Sequence, residues 1–72
     1  MGLEKIFLGQ RIRQQRETMG LSSNRLALTI GITRQSMNDI EHGKIWPSVP
    51  TLIALADALG VTTDWLLGRD TD

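Results

Sequence analysis

The side chains best equipped for chemistry in this chain lie within six consecutive positions. Arg34, Gln35, Asn38 and Asp39 offer a rigid fork of donors, two amides that each set a donor beside an acceptor, and a carboxylate that only accepts. Such groups make no covalent bonds; they match donor and acceptor patterns on a rigid partner. There is no cysteine and one histidine, His42, so no thiolate metal site, multi-histidine site or His-based triad can be assembled. No paired-carboxylate, nucleophile–base or phosphate-cradling constellation is present either, so the chain reads as a non-enzyme without a cofactor.

Pattern matching needs side chains held on a stiff exposed face, and the flanking spacing supplies one. In SNRLALTIGITRQSMNDIEH, residues 23–42, Ala27 stands four residues before Gly31, with Leu26 and Ile30 beside them and Met37 and Ile40 following. A small residue lets the next helix cross closely, and a glycine accepts the tight turn between the two. Met37 and Ile40, three apart, bury the inner face of the second helix and leave Gln35, Asn38 and Asp39 outward. A short helix anchored on one face, with amides and charges on the other, suits reading DNA base edges. This is a helix-turn-helix signature.

Five helices are predicted, at about 5–19, 23–30, 34–42, 49–59 and 63–67, in one domain spanning residues 1–72. Leu8, Ile12 and Met19 share a stripe of the first, and Gly20 stops it. Ser22, Thr33, Ser48 and Thr62 cap the other four, and Pro50 is tolerated in a first turn. Leu52, Leu55, Ala56 and Leu59 form the apolar face of the fourth helix. Loops are short and no run has a strand's period, so the expectation is a compact all-α five-helix bundle.

Seventy-two residues bound one small core, and a chain of this size buries only about 60% of its unfolded surface. Help from a partner subunit is therefore an expectation. No apolar run approaches the roughly 20 residues of a membrane span, and the start lacks a basic-then-apolar signal, which reads as soluble and cytoplasmic. Net charge is zero, but its distribution is uneven. Residues 1–46 carry seven Lys/Arg against four acids, whereas residues 47–72 carry one against four. The half with the signature is basic and the tail acidic, so modest non-specific affinity per monomer is expected.

With these elements placed, the chain resembles the Cro/C1-type (XRE-family) DNA-binding domain of lambdoid phage repressors and small bacterial regulators. LGQRIRQQRETMGLS is similar to that family's first helix and turn, GITRQSMNDIEHGK to its recognition helix and glycine-lysine turn, and WPSVPTLIALADALGVTTDWLLG to its fourth and fifth helices. The resemblance runs from Leu8 to Leu67 and implies a lambda-repressor-like fold with the helix-turn-helix at helices 2 and 3. It also implies that Arg16, ending the first helix, pairs with Glu41, ending the third, as a structural ion pair. Three positions depart from the family pattern. Ser23 stands where a glutamine often bonds phosphate and braces the recognition helix. Arg25 replaces the acidic residue of a capping box. Gln15 stands where an apolar residue is common, so that corner is either wet or its amide bonds inside.

On this reading Arg34, Gln35, Asn38 and Asp39 are the base contacts: arginine forks onto guanine, glutamine pairs with adenine, and aspartate accepts from cytosine. Asp39 has the alternative of neutralising a nearby arginine. Ser23 and Asn24, at a helix start with free N–H groups, are phosphate contacts together with Thr33, Ser36 and Lys44. His42 is a helix end rather than a ligand, and Trp46 is expected to anchor its loop to the core, with flanking the DNA backbone as its alternative. Leu28 falls outside the buried stripe of its helix. Trp65, Leu66 and Leu67 on so short a helix cannot all be inside a monomer, and the resembling family commonly dimerises near this end, so these three are the expected homodimer interface.

The leading function is a sequence-specific transcriptional regulator, a repressor, binding palindromic double-stranded DNA as a homodimer. A second class is an antitoxin-type module whose partner is another protein, and a third is a helical domain that has lost DNA binding. Whether the chain is a whole regulator or an excised DNA-binding domain stays open at this point.

Overall fold

Four of the five helices begin at a hydroxyl. The computed structural model describes residues 4–69, and within them Ser22, Thr33, Ser48 and Thr62 each accept the backbone N–H three residues on, from Arg25, Ser36, Thr51 and Trp65. Each bond satisfies one of the donors that a helix start leaves without an internal partner. The helices are α1 (Lys5–Thr18), α2 (Ser23–Ile30), α3 (Arg34–Glu41), α4 (Val49–Leu59) and α5 (Thr63–Leu66), with no strand among the described residues. Three ends fall one residue short of expectation, because Met19, His42 and Leu67 are caps and not final helical residues. The all-α five-helix architecture follows the predicted order.

The α2–α3 corner is closed by Gly31 at φ 80°, a left-handed conformation that costs a glycine little. Its N–H and that of Ile32 return to the carbonyl of Ala27 at 2.9 and 3.1 Å, so the turn also ties off the end of α2.

Every helix contributes to a single core. Leu8 and Ile12 from α1, Leu26 and Ala27 from α2, Met37 and Ile40 from α3, Leu55, Ala56 and Leu59 from α4, and Leu66 from α5 are all buried. α1 packs against each of the other four helices and is the spine of the domain. It comes close to the end of α3 at Gly9, where a Cβ would lie 2.5 Å from the carbonyl oxygen of Glu41 and 2.6 Å from that of Ile40. Only a residue without a side chain lets the two backbones meet there.

Three expectations need correction. Leu66 is 0% exposed and belongs to the core of one chain, so it is withdrawn from the dimer interface; burying a leucine is worth about 2 kcal/mol, which one copy already gains. Met19, as a cap beyond the last helical turn of α1, is 46% exposed. Trp46 is 48% exposed, so it does not anchor its loop in the core. Trp65 and Leu67 are half-buried and pack against the core's edge.

Two polar contacts fasten α1 at its middle. Gln15 Nε2 donates to the Leu59 carbonyl at 3.1 Å, so the departure at this corner is answered by an inward bond. Arg11 Nε donates to the Trp65 carbonyl at 2.7 Å, and its guanidinium carbon lies 4.0 Å from the Trp65 ring centroid and 5.3 Å from that of Phe7. Arg11 thus holds α5 by a hydrogen bond and by cation–π attraction together.

Candidate nucleic-acid interface

The outward face of α3 is set by what its inner face buries. Met37 and Ile40 are in the core, so the 3.6-residue period turns Arg34, Gln35 and Asn38 to solvent, all three exposed. Ser23 and Asn24 at the start of α2 approach them, and these five residues line an open cleft of about 390 Å³. Ser22 receives the N–H groups of Arg25 and Leu26, leaving the first-turn N–H groups of Ser23 and Asn24 without partners inside the helix. The cleft therefore joins a helix N-terminus, which favours an anion, to a row of side-chain donors and acceptors.

Within it the side chains are partly organised. Arg34 Nε donates to Asn24 Oδ1 at 3.4 Å, joining the starts of α2 and α3. This is the brace that Ser23, with its shorter side chain, could not supply; it comes from the next position along. Gln35 Nε2 donates to Asp39 Oδ1 at 3.0 Å, one turn on, and Asp39 itself is half-buried and does not line the cleft. The Thr33 hydroxyl accepts the Ser36 N–H at 3.0 Å and donates to Ser36 Oγ at 2.9 Å, so both hydroxyls serve the cap first. Lys44 is exposed in the loop after α3, with its backbone N–H held on the Asp39 carbonyl at 2.8 Å. Asn38 is free of side-chain partners among the described residues, and its carbonyl meets His42 Nδ1 at 2.8 Å, which makes His42 part of the helix end.

Beneath this face, Arg16 holds α3 against α1. Its Nε and Nη2 meet the two Glu41 carboxylate oxygens at 2.7 and 3.1 Å, and Nη1 donates to the Leu21 carbonyl at 2.8 Å. Glu41 is 6% exposed and points into the fold, so it is no part of the outward face of α3. Among the described residues no group of three or more His, Cys, Asp or Glu could hold a metal ion, and no helix is long and apolar enough to cross a membrane.

This layout of a capped helix, a glycine turn and a second helix with an anchored inner face is matched by a family profile described as helix-turn-helix, over residues 12–66. The chain belongs to that family, of the Cro/C1 type. As a helix-turn-helix domain it is 44% identical over 61 residues to the SPbeta prophage-derived uncharacterized HTH-type transcriptional regulator YonR of Bacillus subtilis, covering 85% of this chain and 56% of that protein. The structure of the P22 c2 repressor protein in complex with a synthetic operator superposes with a TM-score of 0.84 at 28% identity, covering 89% of this chain and 97% of the other. That of SinR, a master regulator for biofilm formation, in complex with DNA gives 0.79 at 33% identity, covering 83% and 97%. This helix-turn-helix domain spans about half the length of the curated relatives it matches. The family and fold are non-enzymatic.

Sequence reasoning missed three residues. Gly9 reads in isolation only as a weak helix former, and nothing local announces what crosses it. Arg11 looks like one of several solvated cations in α1. Asn24 was assigned to phosphate alone, although it lies one position past the place where the resembling family keeps its brace.

Proposed function

We propose that this domain is a sequence-specific transcriptional regulator, a repressor, that binds a palindromic operator as a homodimer with α3 in the major groove. The observation that carries the reading is the cleft: first-turn N–H groups of α2 suited to a phosphate stand beside Arg34, Gln35 and Asn38, suited to base edges. Two relatives solved on DNA, one of them a repressor, lend support. Ser23, Asn24 and Lys44 are the proposed phosphate contacts, with the Thr33–Ser36 cap beside them. Phosphate contacts set register and supply much of the affinity, while the α3 side chains discriminate.

With Arg34 the one cation lining the cleft among the described residues, the affinity calls for two copies. Half-sites about one helical turn apart, roughly 34–36 Å, follow from a two-fold dimer. Trp65 and Leu67, half-buried at the C-terminal end, remain the proposed contact between copies.

Selection from random duplex DNA, followed by mobility shift, tests all of this together. A palindromic consensus bound by two chains is the expected result. Lys44→Ala should weaken every sequence alike and lower the salt slope by about one, whereas Gln35→Ala should relax one base position by about 1–3 kcal/mol. No enriched sequence, or binding that ignores salt, would refute the reading. The antitoxin-type alternative draws on Leu28, 69% exposed on α2; a stoichiometric protein partner co-purifying from the native host would favour it.

A further inference from the structure

Among the described residues, Asp39 is the only acid whose side chain engages the proposed reading residues, and its geometry is not that of a reader. It is half-buried, lies outside the cleft, and its Oδ1 accepts from Gln35 Nε2 at 3.0 Å. We infer that Asp39 is a positioning residue that selects which edge of the Gln35 amide faces the groove, and so sets the base Gln35 reads. This rests on the DNA-binding function proposed above.

A glutamine amide is ambiguous by itself. Rotated half a turn, it exchanges its carbonyl oxygen for its NH₂ group and presents the reversed pattern. Asp39 removes the ambiguity, because an ionised carboxylate only accepts: it attracts the NH₂ end and repels the carbonyl end. Residues four apart on a helix are neighbours, so the contact is made within α3 and is available before DNA arrives. Committing one N–H to Asp39 leaves the second N–H and the carbonyl oxygen for the groove. An adjacent donor and acceptor is the complement of adenine's N7 and N6. Presetting the amide also lowers the side-chain entropy lost on binding. The carboxylate, set back from the cleft, can do this without projecting its charge toward phosphate.

The closing experiment has one arm without DNA and one with it. In the free protein, the side-chain NH₂ resonances of Gln35 should move in Asp39→Ala and in Asp39→Asn, whose amide can donate to the Gln35 carbonyl as well as accept, and stay nearer their wild-type positions in Asp39→Glu, which keeps a group that only accepts; resonances unmoved in Asp39→Ala overturn the tether whatever the protein binds. On DNA, wild type, Gln35→Ala, Asp39→Ala and the double variant are put through the same selection, with melting temperatures confirming that each is folded. The expected result is that both single variants lose discrimination at one and the same base pair, about fivefold to a hundredfold, and that the double variant loses no more. Asp39→Glu, which keeps an acceptor-only carboxylate, should retain that preference. Loss at a different base pair in Asp39→Ala, or additive losses in the double variant, would make Asp39 a reader in its own right and overturn the inference. A base profile unchanged in Asp39→Ala overturns it equally. A wild-type chain that enriches no sequence overturns the DNA reading and this inference with it, while leaving the resonance result to stand as a separate finding.

Discussion

Gly9→Ala sets two well-known effects against each other, and the structure decides the sign. Within a helix, alanine is favoured over glycine by about 0.5–1 kcal/mol, so local propensity predicts a more stable protein. The added Cβ, however, would lie 2.5 Å from the Glu41 carbonyl oxygen, 2.6 Å from that of Ile40 and 2.8 Å from the Glu41 carbonyl carbon. To reach an ordinary contact of 3.4 Å, α1 and the end of α3 must separate by about 0.9 Å. All three obstructing atoms are backbone, so no side chain can rotate aside. Overpacking of this kind costs about 1–3 kcal/mol, and a backbone obstacle belongs at the upper end. The net expectation is a loss of about 1–2.5 kcal/mol, which for a domain of this size lowers the melting temperature by about 5–15 °C. Differential scanning calorimetry of Gly9→Ala beside Gln10→Ala, an exposed neighbour in the same helix, isolates the effect: the control should stay within a degree or two of wild type. A Gly9→Ala protein as stable as wild type, or more so, would show that α1 does not cross α3 in contact at this position.

Glu41→Ala strips two hydrogen bonds from Arg16 and leaves a guanidinium that is 12% exposed without its carboxylate; a loss of about 3–5 kcal/mol in urea titration is expected, and an unchanged midpoint would refute the strut. Arg11→Ala should cost about 1–2 kcal/mol and, in a Trp46→Phe background, shift Trp65 emission to the red as water reaches the ring; constant emission would mean that α5 is held otherwise. Asn24→Ala frees Arg34 from its brace at the head of α3, so competition mobility shifts should show discrimination at the Arg34 base falling by up to about tenfold with the melting temperature unmoved.

The parts of this fold that were legible in the sequence are those decided within a few residues of chain. Ser22, Thr33, Ser48 and Thr62 announce helix starts because a hydroxyl caps the N–H three residues away, and Gly31 announces the corner because few other residues accept its backbone conformation. The outward face of α3 was legible for the same reason, since Met37 and Ile40 state which side is inside. Gly9, Arg11 and Leu66 were not, because each draws its meaning from another helix that crosses it: α3 for Gly9, α5 for Arg11, and α1 with α4 for Leu66. Leu66 is instructive: three apolar neighbours on a short helix suggested a surface between copies, yet a four-residue helix laid across α1 and α4 buries its last residue, Leu66, and leaves Trp65 and Leu67 at the edge. Spacing fixes which residues share a face, but not how much of that face the rest of the chain already covers.

The three-way grip of Arg16 has a practical consequence for ionic strength. Electrolyte weakens interactions between charges it can surround, and the phosphate contacts proposed for this domain are of that kind. Arg16 and Glu41 are not, with side chains only 12% and 4% exposed and every guanidinium nitrogen engaged on Glu41 or Leu21. Concentrated salt should therefore strip the domain from nucleic acid while leaving it folded. A binding isotherm collected across a salt series then reports contacts with DNA alone, and the same property offers a gentle way to elute and reuse the protein.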